Sequence, residues 1–99
     1  MSGFSVSKAA YADIRGIASN TQKTWGIERR RRYLDGLNEK FEVLARMPEM
    51  SHERQDFVPP VRISHYEKHL IIYAHHGDGG ILIIRVLHQN MDVTSQLSS

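Results

Sequence analysis

The fold of this chain is decided by residues 7–48, which read SKAAYADIRGIASNTQKTWGIERRRRYLDGLNEKFEVLARMP. Apolar side chains recur in its first half at spacings of three and four, which predicts an amphipathic helix from Lys8 to Trp25. Ser7 can cap the start of this helix, and Gly26 is suited to ending it. The apolar stripe consists of Ala10, Ile14, Ile17, Ala18, Thr21 and Trp25.

The second half of the stretch predicts another helix, which begins near Ile27. Pro48 ends it, because proline lacks a backbone N–H and biases the residue before it away from helical angles. A connection as short as Gly26 makes the two helices neighbours, so we expect an antiparallel hairpin. The stripe of the second helix consists of Leu34, Leu37, Phe41 and Leu44.

The pattern changes from helical to alternating outside this stretch. Phe4 to Ser7 alternates apolar and polar residues, which predicts a short strand before the hairpin. Residues 49–60 are polar and predict a loop. Residues 65–68 predict a turn, Gly77-Asp78-Gly79-Gly80 a hairpin turn, and residues 89–99 at most one turn of helix. Three further strands are predicted at Val61–Ser64, His69–His76 and Ile81–Leu87.

The predicted fold class is therefore α+β, with an N-terminal strand, a helix hairpin and a three-stranded antiparallel meander. Regular alternation places the side chains of the last strand on two faces. One set is Leu82, Ile84 and Val86, and the other is Ile81, Ile83, Arg85 and Leu87. Because one hairpin covers one face, the other face either stays open as a partner site or is covered by the first strand, the loop or the tail.

Composition narrows the classes of protein that fit. We expect one domain over residues 1–99, and the absence of cysteine excludes disulfides and thiolate metal sites. The apolar runs are too short to span a bilayer, and we expect neither a signal peptide nor a membrane partner, so the predicted location is the cytoplasm. A formal charge of +2 does not mark a nucleic-acid binder.

Several conspicuous side chains have ordinary structural interpretations. Arg29–Arg32 spread around the helix axis, so a solvated face is the expected role, with contact to DNA or to an acidic antitoxin as the less favoured alternative. Trp25 and Tyr33 fit the helix stripe and its margin, which predicts core positions. His75 and His76 are adjacent in a strand and point to opposite faces, so they cannot share an ion. We expect neither a metal site nor a cofactor.

Motifs along nearly the whole chain resemble those of the ParE toxins in the RelE/ParE superfamily, which belong to type II toxin–antitoxin systems. The most specific is Ile84-Arg85-Val86-Leu87-His88-Gln89-Asn90-Met91-Asp92, which is similar to the family's closing signature. The other motifs are Ser7-Lys8-Ala9-Ala10, Asp13-Ile14, Ile17-Ala18, Thr24-Trp25-Gly26, Tyr33-Leu34, Leu37, Phe41, Leu44-Ala45-Arg46-Met47-Pro48 and His69-Leu70-Ile71-Ile72-Tyr73. Residues 49–60 depart from the family, because they lack its usual loop glycine.

The resemblance implies a RelE-like fold, a ParD-like antitoxin as partner and DNA gyrase as the poisoned target. Operator DNA would be reached only through the antitoxin. For antitoxin binding, we expect the surfaces that the helix hairpin leaves uncovered, which are the open sheet face and the groove beside the hairpin. The candidates are Tyr33, Leu37, Phe57, Ile63, Tyr73 and Ile83. For the target contact, the candidates are Arg85, His88 and Met91.

Two alternatives remain open at the level of sequence. The superfamily also contains ribosome-dependent mRNA endoribonucleases, whose chemistry needs a proton acceptor, a proton donor and cations around a phosphate. Arg85, His88 and Arg62 are the candidates for those roles, whereas the gyrase-directed reading assigns no catalytic residue. The second alternative is a non-toxic member of the family that only binds its antitoxin.

Overall fold

The computed structural model describes residues 3–77 and 79–98. Helix α1 spans Lys8–Trp25, and the Ser7 hydroxyl caps it by accepting the Ala10 N–H at 3.0 Å. Gly26 ends α1 with a φ of 96°, a conformation that favours glycine. Helix α2 spans Ile27–Arg46 and packs against α1. The predicted hairpin is therefore confirmed, with the limits that its capping residues indicated.

The strands form one five-stranded sheet. They are β1 (Phe4–Val6), β2 (Glu53–Arg54), β3 (Val61–Tyr66), β4 (His69–His76) and β5 (Gly80–His88), in the order β1-β5-β4-β3-β2. Strands β3, β4 and β5 are the predicted antiparallel meander, while β1 lies parallel to β5.

Three local predictions need correction or limitation. The predicted turn at residues 65–68 is shorter, because β3 continues to Tyr66 and the chain reverses at Glu67 with a φ of 56°. The predicted loop contains β2 and a 3₁₀ turn at Pro48–Met50. In the predicted turn after β4, Gly77 and Gly79 have positive φ, and Asp78 lies outside the described residues.

Strand β1 is fixed to β5 by a close backbone approach. The Ile81 N–H donates to the Gly3 carbonyl at 2.7 Å, and a Cβ at Gly80 would lie 2.7 Å from that same oxygen. Ser7 continues the connection, because its N–H donates to the Ile83 carbonyl and its hydroxyl donates to the Ile84 carbonyl. One residue thus caps α1 and ties it to the sheet.

The alternation predicted for β5 is wrong, because the strand contains a bulge. Ile72 pairs with Arg85 whereas Tyr73 pairs with Ile83, so Ile84 is an extra residue between them. Ile83 packs in the core beneath the helices and Ile84 against the opposite face. After the bulge, each side chain of β5 therefore shares a face with the residues that regular alternation places on the opposite face. Ile81, Ile83 and Val86 share the helix side, and Ile84 and Leu87 share the other.

We call the side under the hairpin the helix face and the other side the second face. The helix face is the larger core, and its buried residues are Ala10, Leu37, Phe41, Leu44, Ile71, Tyr73, Ile81, Ile83 and Val86. The second face buries Val61, Leu70, Ile72 and Leu87. Phe57 of the loop and a short helix α3 (Val93–Ser98) pack over it, the latter through Val93 and Leu97. Of the two alternatives for this face, coverage by the loop and the tail is the correct one.

Candidate functional site

Arg85 is held by the first helix. Its Nε donates to Asp13 Oδ2 at 2.7 Å and its Nη2 donates to Oδ1 at 2.9 Å. The Val86 N–H also donates to Asp13 Oδ2, at 3.0 Å. Both side chains are largely enclosed, with 22% and 15% exposed, and the hydrogen bond to Asp13 raises the pKa of Arg85 although burial opposes it. The guanidinium therefore joins α1 to β5 as part of the fold.

His88 and Met91 lie where β5 leaves the sheet. The His88 ring packs edge-on against His69 with the ring centroids 5.7 Å apart, and its Nδ1 accepts the Asn90 N–H at 3.1 Å. Met91 is 47% exposed in the turn after the strand. Of the three predicted target-contact residues, Met91 is the one with the most open side chain, whereas Arg85 and His88 have partners within the fold.

A cluster that the sequence analysis missed lies beside His88. The Tyr33 hydroxyl and His69 Nδ1 are joined by a 2.8 Å hydrogen bond, and the Tyr33 and Tyr66 rings pack edge-on at 5.1 Å. Burial raises the pKa of Tyr33, and burial followed by the charge of His88 lowers the pKa of His69. Both groups are therefore neutral near pH 7. Tyr33 and His69 come from distant positions, so no local pattern signals their contact.

Gly36 makes room for this cluster. The Tyr66 hydroxyl donates to the Tyr33 carbonyl at 3.3 Å, and a Cβ at position 36 would overlap that hydroxyl. A side chain at position 36 would therefore displace the Tyr66 ring from its present place against α2.

The three candidates for nuclease chemistry have different partners in the fold. Arg62 donates to the Ser51 carbonyl beside the 3₁₀ turn, Arg85 binds Asp13 on α1, and His88 packs on His69. Within residues 3–77 and 79–98, no hydrogen bond or ion pair joins any two of the three.

The six residues predicted for antitoxin binding do not form one surface. Tyr73 and Ile83 are both 0% exposed and pack in the core beneath the hairpin. The exposure assumed for these two residues is wrong. Phe57 and Ile63 lie at the second face, and Tyr33 belongs to the cluster with His69. Leu37 is buried, but it lines the groove described next.

A groove of about 800 Å³ runs between α1, α2 and β1, and we call it the hairpin groove. Its base is apolar, and cations stand at its margin together with Tyr11, whose side chain is 62% exposed. The apolar lining includes Phe4, Val6, Ile14, Ala18, Leu34, Leu37 and Phe41, and the cations are Arg15, Lys23 and Arg30. Of the six residues predicted for antitoxin binding, Leu37 is the one that lines this groove.

The helix junction is open to solvent. Trp25 is 67% exposed and Ile27 58%, so the core position predicted for Trp25 is wrong. The apolar stripe of α1 ends at Trp25, whose side chain joins neither apolar cluster. The Arg29 guanidinium lies 5.5 Å from the centroid of the Trp25 ring, and Arg30 donates to Gln22 Oε1 at 2.8 Å.

Neither a metal-binding cluster nor a membrane-spanning helix is found in the part of the chain that the structure describes. Residues 3–77 and 79–98 bring no three His, Cys, Asp or Glu side chains together in a way that could hold an ion. The helices of the same residues lack the length and apolar character needed to cross a bilayer.

The architecture defines a small α+β protein in which a helix hairpin covers one face of a meander sheet. The sequence model described as "ParE toxin of type II toxin-antitoxin system, parDE" matches residues 4–93. The chain belongs to this family, as its motifs indicated.

Named relatives agree with this assignment over their full length. The chain is 31% identical to "Toxin ParE1" of Mycobacterium tuberculosis, covering 97% of this chain and 98% of that protein. It is 26% identical to "Toxin ParE" of Escherichia coli, covering 99% and 95%. A solved structure described as "Chromosomal ParDE TA system from P. aeruginosa" has a TM-score of 0.72 at 20% identity, covering 89% and 96%, and shows the same fold.

Proposed function

We propose that this toxin poisons DNA gyrase by binding it, carries out no reaction of its own, and is neutralised by a ParD-like antitoxin. Membership of the ParE family over residues 4–93 supports the first part. The observation that carries a binding mechanism is the hairpin groove, an open apolar surface with cations at its margin. Apolar grooves of this kind bind amphipathic partner segments.

The antitoxin is proposed to occupy the hairpin groove. Apolar side chains of a partner helix would contact the base of the groove, while its carboxylates would reach Arg15 and Lys23. Tyr11 is the exposed aromatic residue at the margin, and aromatic residues often carry much of the binding energy of an interface.

The groove is tested by charge reversal. Arg15→Glu with Lys23→Glu should weaken binding of the cognate ParD-like antitoxin at least about tenfold, measured by calorimetry with the purified proteins. Lys8→Glu with Lys68→Glu changes the net charge equally at exposed positions outside the groove and should leave the affinity nearly unchanged. Equal weakening by both pairs would exclude a specific role for the groove.

The target is tested by a cleavage assay with purified gyrase, ATP and plasmid, run beside an assay of ribosome-bound mRNA. We expect linear DNA to accumulate with gyrase and the mRNA to stay intact. Cut mRNA with unaffected gyrase would favour the endoribonuclease alternative, with Arg62, Arg85 and His88 as its candidate residues. No effect in either assay, with antitoxin binding intact, would identify a non-toxic antitoxin-binding member.

The contact with gyrase is proposed to involve the exposed end of β5. Met91 offers the accessible apolar side chain there, with His88 beside it. Arg85 contributes mainly by holding β5 against Asp13, since its guanidinium is already paired. Met91→Ala should therefore reduce trapped DNA in the cleavage assay without lowering the melting temperature, whereas Arg85→Ala should lower both.

A further inference from the structure

The end of the helix hairpin is a second surface, separate from the groove base and from the end of β5. We call it the hairpin tip, and it consists of Trp25, Ile27, Arg29, Arg31 and Arg32 around Gly26. Trp25 and Ile27 are both more than half exposed, and the rest of the tip is also exposed. A solvent-exposed tryptophan is unusual, because its large apolar surface favours burial.

The tip carries a strong local charge although the whole chain has a formal charge of only +2. Residues 21–34 hold five cationic side chains and one carboxylate, Glu28. That carboxylate lies 3.8 Å from Arg31, and both side chains are open to solvent, so the ion pair neutralises little. Arg30 turns toward the groove and binds Gln22. Arg29, Arg31 and Arg32 are therefore exposed around the first turns of α2, where a flexible strand that wraps the end of the helix reaches all three.

The Arg29 guanidinium lies over the Trp25 ring at the tip, 5.5 Å from the ring centroid. An aromatic face for an unpaired base and nearby guanidinium groups for phosphates are the two elements by which proteins bind single strands of nucleic acid. A protein partner fits less well. A standard protein interface buries about 800 Å² on each side around an apolar core, whereas the apolar part of the tip is Trp25 and Ile27.

We propose that the hairpin tip binds a single strand of DNA, with Arg29, Arg31 and Arg32 on phosphates and Trp25 stacked on an unpaired base. The choice of DNA over RNA rests on the proposed function, in which the toxin acts on DNA that gyrase has cleaved. Broken or unwound DNA presents unpaired bases, whereas an intact duplex covers their faces. The tip therefore distinguishes cleaved from intact DNA.

The full chain is tested with a short single-stranded DNA oligonucleotide, a duplex and an RNA of the same sequence. Trp25 is the single tryptophan in the sequence, so its fluorescence reports the contact directly. We expect the single DNA strand to quench this emission. Trp25→Ala should weaken binding of the single strand about tenfold, as loss of one base stack does, and change duplex binding little.

The charge contribution is tested by a matched pair of triple variants. Arg29→Gln, Arg31→Gln and Arg32→Gln together should weaken single-strand binding more than tenfold and reduce the slope of log K against log salt by about 2. Lys8→Gln, Arg46→Gln and Lys68→Gln together remove the same charge from exposed positions away from the tip. They should leave the affinity within about threefold of the wild type, at about the same melting temperature.

Four results would overturn the proposal. Equal weakening by both triple variants would mean that only net charge matters. DNA binding without a change in Trp25 emission would remove the stacking contact, and tighter binding of the RNA would contradict the choice of DNA. Tip variants that bind the oligonucleotide normally but no longer bind DNA-free gyrase would make the tip a protein contact. The gyrase cleavage assay with the wild-type chain tests the proposed function separately, because absence of trapped DNA contradicts gyrase as the target whether or not the tip binds the oligonucleotide.

Discussion

The two faces of the sheet are both buried, but they are covered by very different amounts of structure. The helix face lies under α1 and α2, helices of 18 and 20 residues. The second face lies under Phe57 of a loop and α3, a helix of 6 residues. A short helix has little stability of its own, so its position depends on the few side chains that it buries. We therefore expect the helix face to carry most of the stability of the fold.

The largest expected effect comes from a neighbouring pair of residues in β4. Ile71 and Ile72 are both 0% exposed, but Ile71 packs on the helix face and Ile72 on the second face. We expect Ile71→Ala to lower the free energy of unfolding by about 4 kcal/mol and Ile72→Ala to lower it by about 2 kcal/mol. The loop and short helix over Ile72 can relax into the cavity, whereas the two long helices over Ile71 cannot. Urea unfolding of both variants measures the difference, and equal losses would contradict the distinction between the faces.

The next effect concerns the contact that holds α1 to β5. Asp13→Asn should cost about 2 kcal/mol, because it leaves the largely enclosed Arg85 guanidinium without its anion. The exposed pair of Arg31 and Glu28 is the control, since Glu28→Gln should cost less than about 0.5 kcal/mol. If the two substitutions cost the same in urea unfolding, the Arg85 contact is not a structural bond and its guanidinium is free for a target.

A smaller effect is expected on the second face. Leu97→Ala should cost about 1 kcal/mol, because the side chain is only partly buried and α3 can shift. The melting temperature should fall by a few degrees with the rest of the fold intact. A loss as large as that of Ile71→Ala would show that α3 supports the fold as strongly as the hairpin does.

The smallest effect is a pH dependence from His69. Its pKa in the folded chain lies below the ordinary value of 6.5, mainly because of burial and then because of His88. The unfolded chain therefore binds the proton more readily than the folded chain does. The contribution of His69 to the free energy of unfolding is thus fully present above pH 6.5, and it is lost as the pH falls through the lowered pKa of the folded state. Unfolding free energies at pH 7.5 and 5.0 should fall less for His69→Asn than for the wild type. An identical fall would contradict this assignment.

Most of the fold follows from local signals in the sequence. Ser7, Gly26 and Pro48 mark the helix limits because caps and breakers act through neighbouring backbone atoms. The bulge at Ile84 could not be predicted, since it is a property of the pairing between two strands and not of β5 alone. The resulting error placed Ile83 on the wrong face.

The candidate site was predicted less well, for the same physical reason. A helical stripe shows which residues share a line on α1, but not which of them meet the rest of the fold, so it predicts a core position for Trp25 that the structure does not show. The contact of Tyr33 with His69 joins a helix to a strand, so no periodic pattern in the sequence indicates it. Arg85 was identified as important, although the role that the structure shows for it is the bond to Asp13.

The central claim, that this ParE-family toxin acts by binding gyrase and not by catalysis, is tested most directly by stoichiometry. Increasing amounts of the toxin are added to a fixed amount of gyrase and plasmid, and separately to ribosome-bound mRNA. We expect linear DNA to rise in proportion to the toxin, to stop rising when the gyrase is saturated, and to disappear when antitoxin is added first. Complete cutting of the mRNA by a small fraction of one equivalent of toxin, with no effect on gyrase, would contradict this claim.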